Sequence, residues 1–96
     1  MTRITVLGAG SWGTTLADLL ARQGVPTTLW AYESDVAEAI TATHENPVYL
    51  AGCPLEPRLR ATSDLADALQ GAEMVCSVVP SHVARTVLRQ AAPHVP

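Results

Sequence analysis

Six residues constrain this chain more than any others: Gly8-Ala9-Gly10-Ser11-Trp12-Gly13. They follow Ile4-Thr5-Val6-Leu7, a β-branched apolar run that reads as a strand. They open a stretch from Trp12 to Gln23 in which Trp12, Leu16, Leu19 and Leu20 recur at helical spacing. That spacing predicts a helix with these four side chains on its apolar face. Gly24 ends it, because glycine accepts a left-handed backbone cheaply. A GxGxxG pattern alone is weak, but between a strand and a helix it predicts a pyrophosphate cradle. Gly8 permits the tight turn, Gly10 lets a phosphate approach the backbone, and Gly13 lets helix and strand pack closely. The free N–H groups of the first helical turn then face the phosphate oxygens.

The rest of the chain repeats the alternation. Residues 27–31 read as a second strand, with Pro26 at its edge. Ser34 is placed to cap a helix from Asp35 to Thr43. Residues 44–58 carry Pro47, Gly52, Pro54 and Pro57, so they read as a long connector, a kind often functional or mobile. Residues 58–62 predict a short strand, and Ser63 a cap for a helix through Gln70 with Leu65 and Leu69 inward. Residues 74–79 form a continuous apolar run, as in a parallel strand covered on both faces. Pro80 ends it, and Ser81 is placed to cap a last helix whose apolar side is Val83, Val87, Leu88 and Ala91.

The expected fold is therefore α/β, a Rossmann-type doubly wound parallel sheet with four strands in the order 3-2-1-4. A complete domain of this kind has six strands, so the chain reads as the front part of a longer protein. A four-strand sheet leaves an edge open, which makes homo-oligomerisation an expectation to check by sedimentation.

Glu33 stands 20 residues beyond Gly13, at the end of the second strand. An acid there accepts hydrogen bonds from ribose hydroxyls and repels a 2′-phosphate. No Arg or Lys lies between Gln23 and Arg58 to clamp such a phosphate. The expected cofactor is NAD rather than NADP. Tyr32 is placed to stack on the adenine or to sit as an amphipathic residue at a sheet edge. Pro80 and Ser81, at the carboxyl end of the fourth strand, are expected on the nicotinamide side.

Other chemistry finds little support. His44, His82 and His94 lack metal-ligand spacing, and Cys53 and Cys76 form no CxxC pair, so no metal site is expected. His82 in the first turn of the last helix is a weak general-acid candidate, and Cys76 reads as an inert core residue. The net charge of −3 and the absence of a basic stripe argue against nucleic acid. No apolar run approaches a membrane span, and no secretory signal opens the chain. A reducing, cytoplasmic location fits these features. With 48% hydrophobic residues the chain can fill a core.

Taken together, the residues resemble the N-terminal part of the NAD(P)-dependent sn-glycerol-3-phosphate dehydrogenases, over essentially all 96 positions. The pieces that carry the likeness are residues 8–14, Leu29-Trp30-Ala31, His44-Glu45-Asn46 with Tyr49-Leu50, and Val78-Val79-Pro80-Ser81-His82. The resemblance implies cofactor contacts at Ser11 and Trp12 through backbone N–H groups, at Tyr32-Glu33, and from Tyr49 on the long loop. Many bacterial members carry a basic residue at Glu33 and accept NADPH, whereas Tyr32-Glu33 is more similar to the aromatic-acid pair of NAD-using eukaryotic members.

The implied reaction is reversible hydride transfer between nicotinamide and dihydroxyacetone phosphate, giving sn-glycerol 3-phosphate for phospholipid synthesis. The implied catalytic lysines lie beyond residue 96, so no residue here is assigned proton transfer. Residues 1–96 are then a truncated dinucleotide-binding domain without its helical substrate domain, expected to bind cofactor and not to turn over substrate. Two other readings stand beside this one. One is a nicotinamide-dependent reductase of another 2-hydroxy or keto acid; the other is a nucleotide-sensing regulatory module.

Overall fold

The computed structural model describes residues 2–79 and 81–94. Its four strands are short and apolar: β1 (Ile4–Leu7), β2 (Thr27–Trp30), β3 (Arg60–Thr62) and β4 (Met74–Ser77). All pair in parallel, in the order β3-β2-β1-β4. Leu7 sits opposite Trp30 on one side and Ser77 on the other, which levels the carboxyl ends of the three strands. The chain runs outward from β1 to β3 and then returns to β4, so the strand order reverses beside β1. The expected fold class and strand order hold.

Helices α1 (Ser11–Arg22), α2 (Ser34–Thr43), α3 (Leu65–Leu69) and α4 (Ser81–Ala91) connect and cover the strands, and a 3-10 turn spans Ala92–His94. Side chains alternate across a strand, so one sheet feeds two cores. Val6 and Leu29 point into a core with Ala17, Ala21, Val36 and Ile40 of α1 and α2. Leu7 and Trp30 point into the other, with Ala68, Leu69, Val87 and Ala91 of α3 and α4. Two buried polar groups are satisfied on that second face. The Thr5 hydroxyl donates to Ala68 O at 2.6 Å, and Trp30 Nε1 donates to Ser63 O at 3.0 Å.

Several local expectations give way to packing. The buried face of α1 is Gly13, Thr14, Ala17 and Ala21, not the row of large apolar residues. Leu16 and Leu20 are half-buried, while Leu19 and Trp12 face solvent. The glycine turn sets α1 so close to β1 that only small side chains fit between them. Helix α2 begins one residue earlier than expected: Ser34 lies inside it and Glu33 occupies the cap position. At α3 the capping residue is Asp64, whose carboxylate accepts from the Asp67 N–H at 3.2 Å, and not Ser63.

Strand β4 also departs from its two-sided burial. Met74 and Ser77 are exposed and Val75 and Cys76 half-buried, so Cys76 is not a fully enclosed core residue. Among the described residues β4 has β1 on one side and no strand on the other. In α4, Val87 and Ala91 are buried as expected, whereas Leu88 is exposed.

The long connector is anchored at several points. Leu55 and Leu59 are buried in the α1–α2 core. Asp18 of α1 accepts from the Glu56 N–H at 2.7 Å and pairs with Arg22, which donates to Pro54 O at 2.8 Å. No described helix is long and apolar enough to cross a membrane.

Candidate functional site

The turn after β1 is shaped by its glycines. Gly8 adopts φ +114°, a conformation that L side chains rarely take, and its N–H donates to Trp30 O at 3.0 Å. The chain thereby leaves β1 sharply and enters α1 at once. Gly10 takes the cap position of α1 without any side-chain cap bond. The N–H groups of Ser11, Trp12 and Gly13 stand in the first turn, where a helix offers no carbonyl four residues back. No acidic side chain lies in that turn, so nothing opposes an anion at the positive end of the helix dipole.

A cleft of about 540 Å³ opens at this point, above the carboxyl ends of β1, β2 and β4. It is lined by Gly8, Gly10, Ser11, Trp12 and Gly13 of the glycine turn, and by Tyr32, Glu33 and Tyr49. Val78 and Val79, following β4, close the side where the strand order reverses. This is where ligands bind in open α/β sheets. Eight of the nine residues singled out from the sequence thus meet at one cleft. The ninth, Pro80, lies outside the described residues, as do the side chains of Ser81 and His82.

The turn fits a pyrophosphate. A Cβ placed on Gly10 meets no protein atom within 4 Å, so the backbone there faces open space in the cleft. Exposed aromatic side chains border the cleft. Trp12 is 82% exposed and Tyr32 is 75% exposed, and both line the cleft. Tyr32 meets the buried Trp30 edge to face, with ring centres 6.1 Å apart. Exposed aromatic surface gathered at one groove marks a ligand site more often than a chance patch. Among the described residues there is no metal-ligating cluster.

Asn46 is the residue whose weight sequence reasoning missed. It lies in the connector, yet it is completely buried. Its Nδ2 donates to Ala9 O at 2.8 Å and to Thr14 Oγ1 at 2.9 Å. Its Oδ1 accepts from the N–H groups of Val48 at 3.3 Å and Tyr49 at 3.1 Å. Asn46 therefore pegs the connector to the glycine turn and presents Tyr49 to the cleft. His44, just before it, ends α2 with a left-handed backbone at φ +55°. Asn46→Ala takes the acceptor from two loop N–H groups and one of two donors from Ala9 O, which keeps the Thr14 hydroxyl at 3.2 Å. It is expected to cost about 1–3 kcal/mol in denaturant unfolding. A loss below about 0.5 kcal/mol, the range of ordinary surface changes, would refute the peg.

The electrostatics of the cleft are simple. Among the described residues of its lining, Glu33 is the sole carboxylate and there is no Arg or Lys. The Tyr49 hydroxyl donates to Glu33 Oε2 at 2.6 Å. That hydrogen bond and the Glu33 charge hold the Tyr49 hydroxyl above the usual phenol range, so it keeps its proton at neutral pH.

The family model for the N-terminus of NAD-dependent glycerol-3-phosphate dehydrogenase matches residues 3–96. A glycerol-3-phosphate dehydrogenase (NAD(P)+) of Stenotrophomonas maltophilia is 56% identical over 91 residues, covering 95% of this chain and 27% of that protein. The crystal structure of glycerol-3-phosphate dehydrogenase from Coxiella burnetii superposes with a TM-score of 0.92 at 40% identity, covering 99% of this chain and 29% of that one. The corresponding structure from Saccharomyces cerevisiae gives a TM-score of 0.89 at 29% identity, covering 99% of this chain and 31% of that one. The chain thus spans little more than a quarter of the length of the relatives it matches.

Proposed function

The chain belongs to the NAD-dependent glycerol-3-phosphate dehydrogenase family, whose N-terminal part it matches, and from that premise we propose that residues 1–96 are the dinucleotide-binding domain of such an enzyme. The whole enzyme interconverts sn-glycerol 3-phosphate and dihydroxyacetone phosphate in the cytoplasm. We assign the proton-transfer group to the part of the longer protein that this chain, matching 27% of a relative's length, does not span. Bound NAD would supply the hydride acceptor.

The residues here bind and orient. Gly8, Gly10 and Gly13 shape the turn, and the N–H groups of Ser11 and Trp12 hold the phosphates. Tyr32 covers the adenine, and Glu33 accepts from the ribose hydroxyls and repels a 2′-phosphate. Pro80 borders the nicotinamide. The observation that carries this reading is the open backbone at Gly10, facing the cleft at the start of α1, with the Glu33 carboxylate in the same lining. The family match favours the dehydrogenase over a reductase of another keto acid or a regulatory sensor.

A paired thermal-shift titration tests the reading. At 100 times its dissociation constant NADH adds about 2.7 kcal/mol. For a domain of this size that raises Tm by about 10–20 °C. NADH is expected to stabilise well above NADPH. Equal shifts would remove the role given to Glu33 and leave the site standing. No shift with a folded chain would sink the site.

A further inference from the structure

The glycine turn and Glu33 both line the cleft, and one short segment touches each of them. Residues 46–50 form a turn closed by the bridge between Asn46 and Leu50, with Leu50 N donating to Asn46 O at 3.0 Å. Asn46 fastens this turn to Ala9 O and Thr14, and through Oδ1 it orients the Tyr49 backbone. The Tyr49 hydroxyl then reaches Glu33, sixteen residues away in sequence. Glu33 itself makes no cap bond to α2, although it holds the cap position. Its carboxylate is thus oriented by Tyr49 rather than by its own helix.

We propose that Tyr49 is a positioning residue that fixes the Glu33 carboxylate at the ribose end of the cleft, and so sets the preference for a dinucleotide with a free 2′-hydroxyl over one with a 2′-phosphate. The inference rests on the cofactor site proposed above. A long acidic side chain left alone at a helix start samples several rotamers. It must be ordered again to accept from a ribose, and it can swing away from an incoming 2′-phosphate. The Tyr49 hydrogen bond lowers the cost of that ordering and opposes the swing. An ionised carboxylate offers about four acceptor positions, and Tyr49 occupies one, which leaves room for the ribose hydroxyls. The held charge also stays where a 2′-phosphate would have to sit. Selectivity thus depends on a residue of the connector, in addition to the acid at the end of β2.

Tyr49→Phe separates this role from ring stacking, because it removes only the hydroxyl. Dissociation constants for NADH and NADPH, read from nucleotide fluorescence, are compared for the unsubstituted chain, Tyr49→Phe, Glu33→Gln and the double variant. Circular dichroism shows whether each is folded. Tyr49→Phe is expected to weaken NADH about threefold to tenfold, the effect of losing one ordinary, solvent-exposed hydrogen bond. NADPH should be unchanged or slightly tighter, so the ratio narrows. In the Glu33→Gln background the same change should move the ratio by less than about twofold, since an uncharged amide does not repel a 2′-phosphate however it is held. An unchanged ratio in folded Tyr49→Phe overturns the proposal alone. An equal shift with and without the Glu33 carboxylate also overturns it, and indicates direct contact of the hydroxyl with the nucleotide. If the unsubstituted, folded chain binds neither nucleotide, the cofactor site falls and this proposal with it.

Discussion

Gly13→Ala is expected to lower Tm by about 12 °C or more, and to remove dinucleotide binding as a consequence of lost structure. A Cβ on Gly13 would lie 1.7 Å from Gly8 O and 2.7 Å from Val78 Cγ2. The valine methyl can turn aside, but the carbonyl cannot. Gly8 is held by its N–H bond to Trp30 O and by its φ of +114°. Relief requires α1 to rise from the sheet by more than an ångström. Ala17 and Ala21, packed on the same core, then lose contact along the whole helix. Overpacking of a tight core costs about 1–3 kcal/mol, more when backbone must move. We take about 3 kcal/mol as the lower bound. A domain this size loses about 4–8 °C per kcal/mol. Since total stability is only about 5–15 kcal/mol, the variant sits near the edge of folding. Melting followed by circular dichroism decides the matter. A Tm within about 2 °C of the parent would mean that the turn has room which the geometry denies.

Gly10→Val, three residues earlier in the same motif, is expected to do the reverse. The backbone at Gly10 has φ −70° and ψ −174°, an extended conformation open to any residue. Nothing lies within 4 Å of the added Cβ. Stability should fall by about 1 kcal/mol or less, the cost of replacing glycine by valine at a helix cap position. Binding should fall at least a hundredfold. The side chain fills the space through which a pyrophosphate approaches the N–H groups of α1. Each lost hydrogen bond to a charged oxygen is worth about 1.5–3 kcal/mol. Two such losses exceed the roughly 2.8 kcal/mol of a hundredfold change. Nucleotide fluorescence titration beside a melting curve reads both quantities. Unchanged affinity would show that the ligand does not pass over Gly10.

The two variants separate the two meanings of a glycine-rich turn. At Gly13 the missing side chain serves the fold, and at Gly10 it serves the ligand. Spacing in the sequence points to both glycines without ranking them. The distances to Gly8 O and to open space separate them.

Much of the architecture is legible along the chain because its causes are local. Strand β1 and the end of α1 are set by a β-branched run, a glycine turn and a stop at Gly24. The alternation of apolar and amphipathic stretches implies parallel strands with helices on both faces, and hence the reversal beside β1. The position of Glu33 follows from counting through one helix and one strand. What escaped was decided by neighbours distant in sequence. Large residues at Trp12, Leu16, Leu19 and Leu20 outweigh small ones in any reading of amphipathicity. The face that meets β1 is nevertheless the small one, Gly13, Ala17 and Ala21, because the turn leaves no space for more. Those three recur every fourth residue, and that regular row of small side chains was the available signal. The exposure of β4 had no such signal, since an apolar run does not reveal whether a neighbour lies beside it.

Asn46 and Tyr49 mark the same boundary at the site. In sequence one is a polar loop residue and the other an aromatic near a proline. Their roles arise only when the connector folds back on the glycine turn and places a side-chain amide against Ala9 O and a phenol against Glu33. The sequence alone determines the order of the elements, the turn that can cradle a phosphate, and the acid that follows β2. These depend on backbone preference and on spacing within one strand-helix-strand unit. Tertiary structure decides which face of α1 is buried, which glycine faces the cleft, and how Glu33 is held. These depend on contacts between segments that approach one another only in the folded chain.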